Sequence, residues 1–462
     1  MTSLQAVARS AIVALLAASA AGANALDLAQ AWRAAQAADP QVAVANAAAQ
    51  AGATRRQQAA ALWRPQVLLG ASAGLAGADS ASTGAHFAAP GIPASNGVDF
   101  NTSVNSGIST RWNLSARQSL RSGERSAQTR QLELAADMAE LQAHSARSDL
   151  LLLTARRYFD LVLAQRKLEL LRQQQAAVNR ALTEAQDRFA LGDKPVTDTY
   201  EARARAFALQ AQVLGAENTL AVAQRVLAQS TGVPPAQLQL LEPAAVPGTD
   251  AVTGRSLEHW QSLAQSNNLA LRLQTLRVQS AQEEAAKYSA AASATLDLVA
   301  QIGQDRISGE GDFGSASNTS GQRMVGVQWS MPLFTGGLRD ARQQEALRLQ
   351  DQAQAELEAA RQQTAQQVQN AWLALQTGPA RLAAWAAAQQ ASAARLDATQ
   401  LGRQLGDRTT LDLLQAENDA AAASLALVQA RSDLLLERLQ LSALAGTLDD
   451  AQLDGVNAAL QR

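Results

Sequence analysis

The longest stretch without a helix-breaking residue runs from Glu124 to Leu191 and contains neither Gly nor Pro. It is built mainly from strong helix formers, which predicts a single helix about 100 Å long at roughly 1.5 Å per residue. Apolar residues recur along it at alternating steps of four and three, as in Leu132, Ala136, Ala139, Ala143, Ala146, Leu150 and Leu153. A second seam starts at Leu134, about 200° further around the helix. Packing surfaces on nearly opposite sides favour one member of a wall of helices, with a long soluble coiled coil as the alternative.

Four stretches change from helical spacing to the alternation of apolar and polar residues that is typical of strands. The predicted strands lie at about 65–76 and 102–120 in the first half, and at about 293–304 and 323–334 in the second. Polar loops are predicted between them, at Gly77–Asn101 and Asp305–Gln322. Strands of about ten residues have the length of membrane β-strands, but known membrane barrels need at least about eight strands. Strands in a membrane would therefore require several copies of the chain. The alternative is a small periplasmic sandwich.

The second half of the chain repeats the order of the first. The turn Leu191-Gly192-Asp193 matches Leu405-Gly406-Asp407, and the same offset pairs Asp198 with Asp412 and Gly232 with Gly446. These matches predict a duplication in which each copy reads helix, strand, strand, helix, a mostly α member of the α+β class.

This duplication divides the chain into a first repeat at 26–242, a linker at 243–254, a second repeat at 255–448 and a C-terminal tail at 449–462. The long helix of the first repeat is predicted at 122–191, and the helices of the second repeat at 338–401 and 409–445. A break is expected within the first of these two, at Gly378-Pro379, because proline removes a helical hydrogen bond.

Residues 1–25 have the features of a secretory signal peptide. Arg9 precedes the short apolar stretch Ser10–Ala21, and Ala23-Asn24-Ala25 is a small-residue cleavage sequence. Cleavage is expected between Ala25 and Leu26, which would send the mature chain into an export compartment.

Composition argues against several functional classes. The formal net charge of −2 offers no basic excess for nucleic acid, so no nucleic-acid partner is expected. There is no Cys, and the three His residues are scattered without metal-ligand spacing, so neither a metal nor a cofactor is expected. No nucleophile constellation, phosphate loop or zinc-protease motif is present, which predicts a protein that is not an enzyme.

Several motifs together resemble one known family. They are Asp39-Pro40 after an opening Ala-rich helix, Arg188-Phe189-x-x-Gly192 with Thr197-Asp198, Gly402-x-x-x-Gly406-x-Arg408-Thr409-x-x-Asp412, and the final Ser442–Leu448. With the doubled element order, they make the whole mature chain similar to the TolC-type outer-membrane channel family. The resemblance implies a homotrimer, in which each copy gives four strands to a twelve-stranded outer-membrane barrel that is continued by a long periplasmic α-helical barrel.

The resemblance also implies roles for particular residues. Arg408 would be the latch of a periplasmic gate, with Thr197 and Asp198 as its partners, and Asp412 would line the narrowest point of the pore. The chain departs from the usual pattern at two positions, because Arg403 stands where a Tyr latch is usual and Gln415 where a second Asp ring is usual.

The tips formed by Leu191, Gly192 and Asp193 and by Leu405, Gly406 and Asp407 would contact a periplasmic adaptor. An alternative reading is open, since Asp198 and Asp412 both lie in a first helical turn, where an acid is favoured anyway, and Arg408 could be a solvated turn residue.

The function implied by the resemblance is that of a passive export duct in the outer membrane of a Gram-negative bacterium, extending into the periplasm. Its partners would be a periplasmic adaptor (membrane fusion) protein, an inner-membrane ABC or RND-type transporter and outer-membrane lipid, in a type I secretion or efflux system. The alternative is a periplasmic helical tether without a pore.

Overall fold

The computed structural model describes residues 26–193, 195–235, 240–244, 254–312 and 314–460. The predicted signal peptide, including Ala25, lies outside the described residues, and so does most of the predicted linker at 243–254. Leu26 is the first residue described. Within the described ranges the chain is mostly helical with one antiparallel sheet, so the predicted secondary-structure class is confirmed.

The first half contains α1 (Leu28–Ala38), α2 (Pro40–Ala61), β1 (Gln66–Ala89), β2 (Ile92–Arg121), α3 (Gly123–Ala190) and α4 (Val196–Thr231). The second half contains α5 (Leu257–Asn267), α6 (Leu269–Ala290), β3 (Thr295–Gly311), β4 (Gly314–Ser330), α7 (Leu338–Gln404) and α8 (Thr410–Leu444), followed by α9 (Asp450–Asn457). The two halves therefore have the same order of helix pair, strand pair and helix pair. The predicted long helix at 122–191 corresponds to α3 within one residue at each end.

The chain divides into two compact units. One comprises the residues 51–138 and 276–355 and contains the sheet. The other comprises the described residues up to Gln50, those at 139–275 and those from Glu356 onward, and it is helical.

The sheet is an antiparallel meander in the order β1-β2-β3-β4. In one cross-strand row, Leu69 pairs with Leu114, which in turn pairs with Ile302. The strands have 24, 30, 17 and 17 residues, so the predicted length of about ten residues is wrong. Most of both predicted loops, Gly77–Asn101 and Asp305–Gln322, belongs to strands. The Gly, Ser and Ala residues there lack the apolar alternation of a half-buried strand, but their backbones still pair across tight turns such as Pro90-Gly91.

The two faces of the sheet differ in chemistry. One face exposes a continuous set of large apolar side chains, among them Val67, Leu69, Leu75, Ile108, Trp112, Val325, Val327 and Trp329. The other face carries two cross-strand ion pairs, Arg117–Asp297 at 2.6 Å and Arg111–Asp305. Contiguous apolar patches of this kind mark surfaces that meet lipid or another protein.

The C-terminal segment at 449–462 was predicted to be a tail, but its described part contains a packed helix. Leu453 and Val456 of α9 are buried in the same core as Leu28 and Trp32 of α1. The amide of Ala29 also donates a hydrogen bond to Asn457 Oδ1 at 3.3 Å. The three-to-four spacing of apolar residues from Leu453 to Leu460 provides the face that α9 buries.

The predicted break at Gly378-Pro379 does not occur, since α7 continues through Pro379 to Gln404. Val368, Ala371 and Leu375 are buried against α8 just before the proline, and such packing holds a helix through a local loss of hydrogen bonding. Gly378 permits a close approach, because a Cβ at this position would lie 2.4 Å from Leu434 Cδ1. Within the described residues, no helix contains a stretch that is both long and apolar enough to cross a membrane.

Candidate functional site

The helix pair α3–α4 is joined by a tight turn at Gly192. The amide of Gly192 donates to Phe189 O at 2.9 Å and that of Asp193 donates to Arg188 O at 2.9 Å. This pair of bonds is a Schellman motif, which needs a left-handed residue after the helix. Gly192 fills that position with φ of +78°, so glycine is required here for its backbone conformation.

The turn between α7 and α8 has the same geometry. Gly406 has φ of +86°, and the amides of Gly406 and Asp407 donate to Arg403 O and Gly402 O at 3.1 and 2.8 Å. Leu191 and Leu405 stand at equivalent places, and 78% and 71% of their surfaces are exposed. The predicted adaptor-contact residues therefore lie on two accessible apolar tips.

The helices that leave the two turns begin differently. α8 begins with a capping box, in which the Thr409 amide and hydroxyl donate to Asp412 Oδ2 at 2.9 and 2.8 Å. The Asp412 amide donates back to the Thr409 hydroxyl at 3.1 Å. These bonds from the Thr409 backbone and side chain, with the nearby charges of Arg408 and Arg395, lower the pKa of Asp412. α4 begins after Pro195 without a side-chain cap, although Asp198 occupies its first turn.

A shared carboxylate connects the two helix pairs near their tips. Glu184 Oε2 accepts a hydrogen bond from Arg403 Nη2 at 2.6 Å, and Glu184 Oε1 lies 2.8 Å from Arg188 Nη2. Arg403 belongs to α7, whereas Glu184 and Arg188 belong to α3. Charge-assisted pairs of this length are stronger than neutral hydrogen bonds, so this contact ties one tip to the other.

Glu184 was missed by the sequence analysis. Its spacing of four from Arg188 is a sequence signal for an ion pair within one helix. The third member, Arg403, is distant in sequence, and only the fold brings it to Glu184.

A cavity of about 600 Å³ lies between the two tips. Its charged lining residues are Glu184, Arg188, Asp198, Glu201, Arg205, Arg403, Asp407 and Arg408. The structure thus brings Asp198, Arg403 and Arg408 together. Thr197 is exposed and is not among the residues that line the cavity. Acidic and basic side chains are present in equal number among these lining residues.

The Arg408 side chain lies across the end of α7. A Cβ on Gly402 would be 2.8 Å from Arg408 Cγ, so the absence of a side chain at 402 makes room for the arginine stem. This arrangement leaves Arg408 exposed at the tip with Asp412 as a nearby charge.

Gln415 lies one turn after Asp412 and also faces solvent. Its amide donates to Asp419 Oδ1 at 2.8 Å, and Asp419 Oδ2 forms an ion pair with Arg395 at 2.7 Å. An acidic group is therefore present one turn beyond Gln415, but its charge is compensated by Arg395. Among the described residues, no cluster of three or more His, Asp or Glu side chains could hold a metal ion.

Comparisons with known proteins match most of the chain. The profile of the family described as outer membrane efflux protein matches residues 31–233 and 260–447. Outer membrane protein TolC of Vibrio cholerae is 29% identical over 333 residues, which cover 71% of this chain and 75% of the relative. Proteases secretion protein PrtF of Dickeya chrysanthemi is 30% identical over 318 residues, which cover 68% of each chain.

Two solved structures show the same fold. The outer membrane protein VceC of Vibrio cholerae has a TM-score of 0.69 at 19% identity and aligns with 91% of this chain and 96% of its own. The CmeC outer membrane channel of Campylobacter jejuni has a TM-score of 0.71 at 15% identity and aligns with 94% and 90%. The chain therefore belongs to the outer membrane efflux protein family, the TolC-type channels of the outer membrane, which act in transport and are not enzymes.

Proposed function

We propose that this protein is a passive export duct built from three copies of the chain. The observation that supports this most directly is the sheet, whose apolar face is exposed and whose edges are open within the described residues. Among the described strands, β1 pairs with β2 alone and β4 pairs with β3 alone. In lipid such edges would leave unpaired backbone groups, so only a closed barrel is stable there.

Closure between copies follows from the strand directions. Neighbouring strands alternate in direction across the meander, so β1 and β4 run in opposite senses. β4 of one copy can therefore pair antiparallel with β1 of the next, and three copies supply twelve strands. The apolar face would meet lipid, while the face with Arg117–Asp297 and Arg111–Asp305 would line the lumen.

The helical tips are proposed to face the periplasm and to contact an adaptor protein. The exposed Leu191 and Leu405 offer apolar anchors, and the acidic and basic residues around them offer specificity. An inner-membrane transporter of the ABC or RND type would then pass cargo into the duct. The relatives PrtF and AprF, both named as protease secretion proteins, favour type I secretion, while the description of the family as outer membrane efflux protein leaves efflux as the second role.

The cavity between the tips is the proposed gate. Within one copy, the Glu184 carboxylate holds Arg403, and opening would require Arg403 to leave it. Arg408, which lines the same cavity as Asp198, would be a second latch, with Thr197 and Asp198 of the neighbouring hairpin as its partners. Asp412 would form a ring of three carboxylates, which favours cations, and Gln415 would leave this ring without a second one.

Reconstitution into a planar lipid bilayer tests the proposed function. Purified protein is expected to migrate as a heat-resistant oligomer and to produce discrete, cation-selective conductance steps. A soluble monomer that gives no conductance would instead support the rival reading, a periplasmic helical tether without a pore.

A further inference from the structure

One face of α4 exposes a row of large apolar side chains that nothing in the described chain covers. Tyr200, Phe207 and Leu214 are 60%, 64% and 59% exposed, and Ala204 and Ala211 lie exposed between them. Their steps of four and three define a heptad seam, the pattern of a helix that packs along its length against another. These five residues are called the α4 seam below.

The opposite face of α4 is already occupied by its own chain. Val213 and Ala216 pack against Leu168 and Leu171 of α3, and the hydroxyl of Thr199 donates to Ala185 O at 3.3 Å. The residues of the α4 seam lie on the opposite side of the helix from Val213 and Ala216. A helix with two apolar faces has two packing partners, and at the level of the α4 seam the described chain supplies α3 alone.

A second seam with the same spacing lies exposed on α7. It consists entirely of alanines, namely Ala384, Ala387, Ala391, Ala394 and Ala398, and is called the α7 seam below. A different face of α7 packs against α8, where Leu375 and Leu382 belong to one core with Leu434, and the Arg395–Asp419 and Arg381–Asp433 ion pairs flank this contact.

These two seams lie at opposite ends of one row of helices. In the helical unit α4 packs on α3, and α3 reaches α8 through Gln174–Asn418 and Arg166–Ser424. α8 in turn packs on α7. Along the stretch that carries the two seams, the order α4-α3-α8-α7 therefore leaves one face at each end of the row without a neighbour in the described chain.

The two seams also match in register when both are measured from their tips. Tyr200, Phe207 and Leu214 follow Gly192 by the same numbers of residues by which Ala398, Ala391 and Ala384 precede Gly406. Ala204 and Ala211 correspond in the same way to Ala394 and Ala387. α4 leads away from its tip and α7 leads toward its tip, and the two tips line one cavity. Large side chains on one helix thus meet alanines on the other at every second layer, which permits interlocking without overpacking.

We propose that the α4 seam docks against the α7 seam of a neighbouring copy of this chain, with Tyr200 over Ala398, Phe207 over Ala391 and Leu214 over Ala384. The inference rests on the proposed assembly and adds to it the contacting helices and their register. The proposed helix contact joins the same two repeats of neighbouring copies as the proposed closure of the barrel. β4 and α7 are consecutive elements of the second repeat, and they would meet β1 and α4 of the first repeat in the next copy. The contact is head-to-tail, the kind that closes into a ring.

Disulfide trapping tests this register without background, because the chain contains no cysteine. The double variant Phe207→Cys/Ala391→Cys is oxidised in membranes and analysed by denaturing electrophoresis. A disulfide needs Cα atoms within about 7 Å of each other, so this pair is expected to form covalent dimers and trimers of the chain.

The matched control is Leu214→Cys/Ala398→Cys, which uses the same two seams at levels about 21 Å apart. Its crosslinked fraction is expected to be at least about tenfold lower, because this distance far exceeds the reach of a disulfide. Each single cysteine variant should assemble as the wild type does, which shows that the substitutions leave folding intact.

Three results would overturn the proposal. The first is an intact oligomer in which the matched pair stays uncrosslinked, which would leave the α4 seam for a helix of another protein. The second is equal crosslinking of matched and control pairs. The third is a wild-type protein that does not assemble at all, which would reject the proposed trimer together with the docking.

Discussion

The two hairpin tips share the same backbone turn and differ in how the helix that follows the turn begins. Gly192 and Gly406 end their helices with the same Schellman turn, and Leu191 and Leu405 expose the same apolar residue at the apex. Beyond the turn, α8 has a capping box on Asp412, whereas α4 follows Pro195 and has no side-chain cap. The duplication thus preserved what the chain needs in order to reverse direction.

The charged residues around the turns show what the two copies do differently. The second-repeat tip contributes Arg403 and Arg408, while the first-repeat tip contributes the acceptor Glu184. Two copies with identical charges would repel each other at this distance, but the diverged pair attracts. The turns reverse the chain, and the charges between the tips are the part of the site on which the proposed gate depends.

The largest effect is expected from Glu184→Gln, which removes the charge that holds Arg403 and Arg188. The two arginines then repel each other across the tip, so the proposed gate should open and single-channel conductance should rise severalfold. The measurement is the conductance step of the purified variant in a planar bilayer.

The control for this variant is Glu217→Gln, which removes an ion pair with Arg172 inside one hairpin rather than between two. Its conductance should equal that of the wild type. Arg408→Ser should also raise conductance, because Arg408 is the other proposed latch between the two hairpins. An unchanged conductance in both Glu184→Gln and Arg408→Ser would place the gate elsewhere.

The next effect concerns selectivity. Asp412→Ala removes the proposed ring of carboxylates, so the reversal potential in a salt gradient should shift toward that of a non-selective pore. The duplicate variant Asp198→Ala is the comparison, and it should keep more of the cation selectivity, since Asp198 belongs to the uncapped tip. A larger loss in Asp198→Ala than in Asp412→Ala would reverse the roles assigned to the two tips.

A smaller effect is expected from pH. The bonds from Thr409 lower the pKa of Asp412, so its carboxylate stays charged below the usual range, and the stability it gives the folded tip is lost only as pH falls through the lowered pKa. Cation selectivity should therefore persist near pH 4, close to the ordinary pKa of about 3.9.

Thr409→Val removes the hydroxyl donor and should move the loss of selectivity to higher pH. Reversal potentials recorded from pH 7 downward measure this midpoint. The same midpoint in the variant and the wild type would show that the capping box does not set the charge of Asp412.

The smallest expected effect is a loss of local stability on replacing the turn glycine, and this loss should be equal at the two tips. Gly192→Ala and Gly406→Ala place a side chain on a left-handed residue, which costs about 1 kcal/mol at each position. Faster hydrogen exchange of the tip amides should report this cost. Gly215→Ala, in the interior of α4 with no atom near its Cβ position, should instead stabilise the helix. Clearly unequal losses would mean that one turn is held by more than its backbone.

The sequence predicted those features that depend on local chemistry. The ends of α3 and α8, the two glycine turns and the duplication were all visible in Gly positions and heptad spacing. The full length of β1 and β2 could not be predicted, because a run of Gly, Ser and Ala residues has no apolar alternation. Whether such a run forms a strand depends on the strand with which it pairs. The helix break predicted at Gly378-Pro379 was wrong for a related reason, since the packing of α7 on α8 outweighs the local cost of proline.

The candidate site was predicted in part. Asp412, Arg408 and Arg403 were identified through a resemblance, and the structure brings Arg403 and Arg408 to one cavity. Glu184 could not be found in this way, because its partner Arg403 is 219 residues away in the chain and belongs to the other repeat. Contacts between repeats depend on the tertiary fold, and a single sequence holds no local signal for them.

The number of copies in the assembled protein tests the central claim most directly. Native mass spectrometry of the full chain, extracted from membranes in detergent, measures this number. Three copies are predicted, because each chain brings four strands with two open edges. A monomer, or an assembly that contains another number of chains, would contradict the closed twelve-stranded duct.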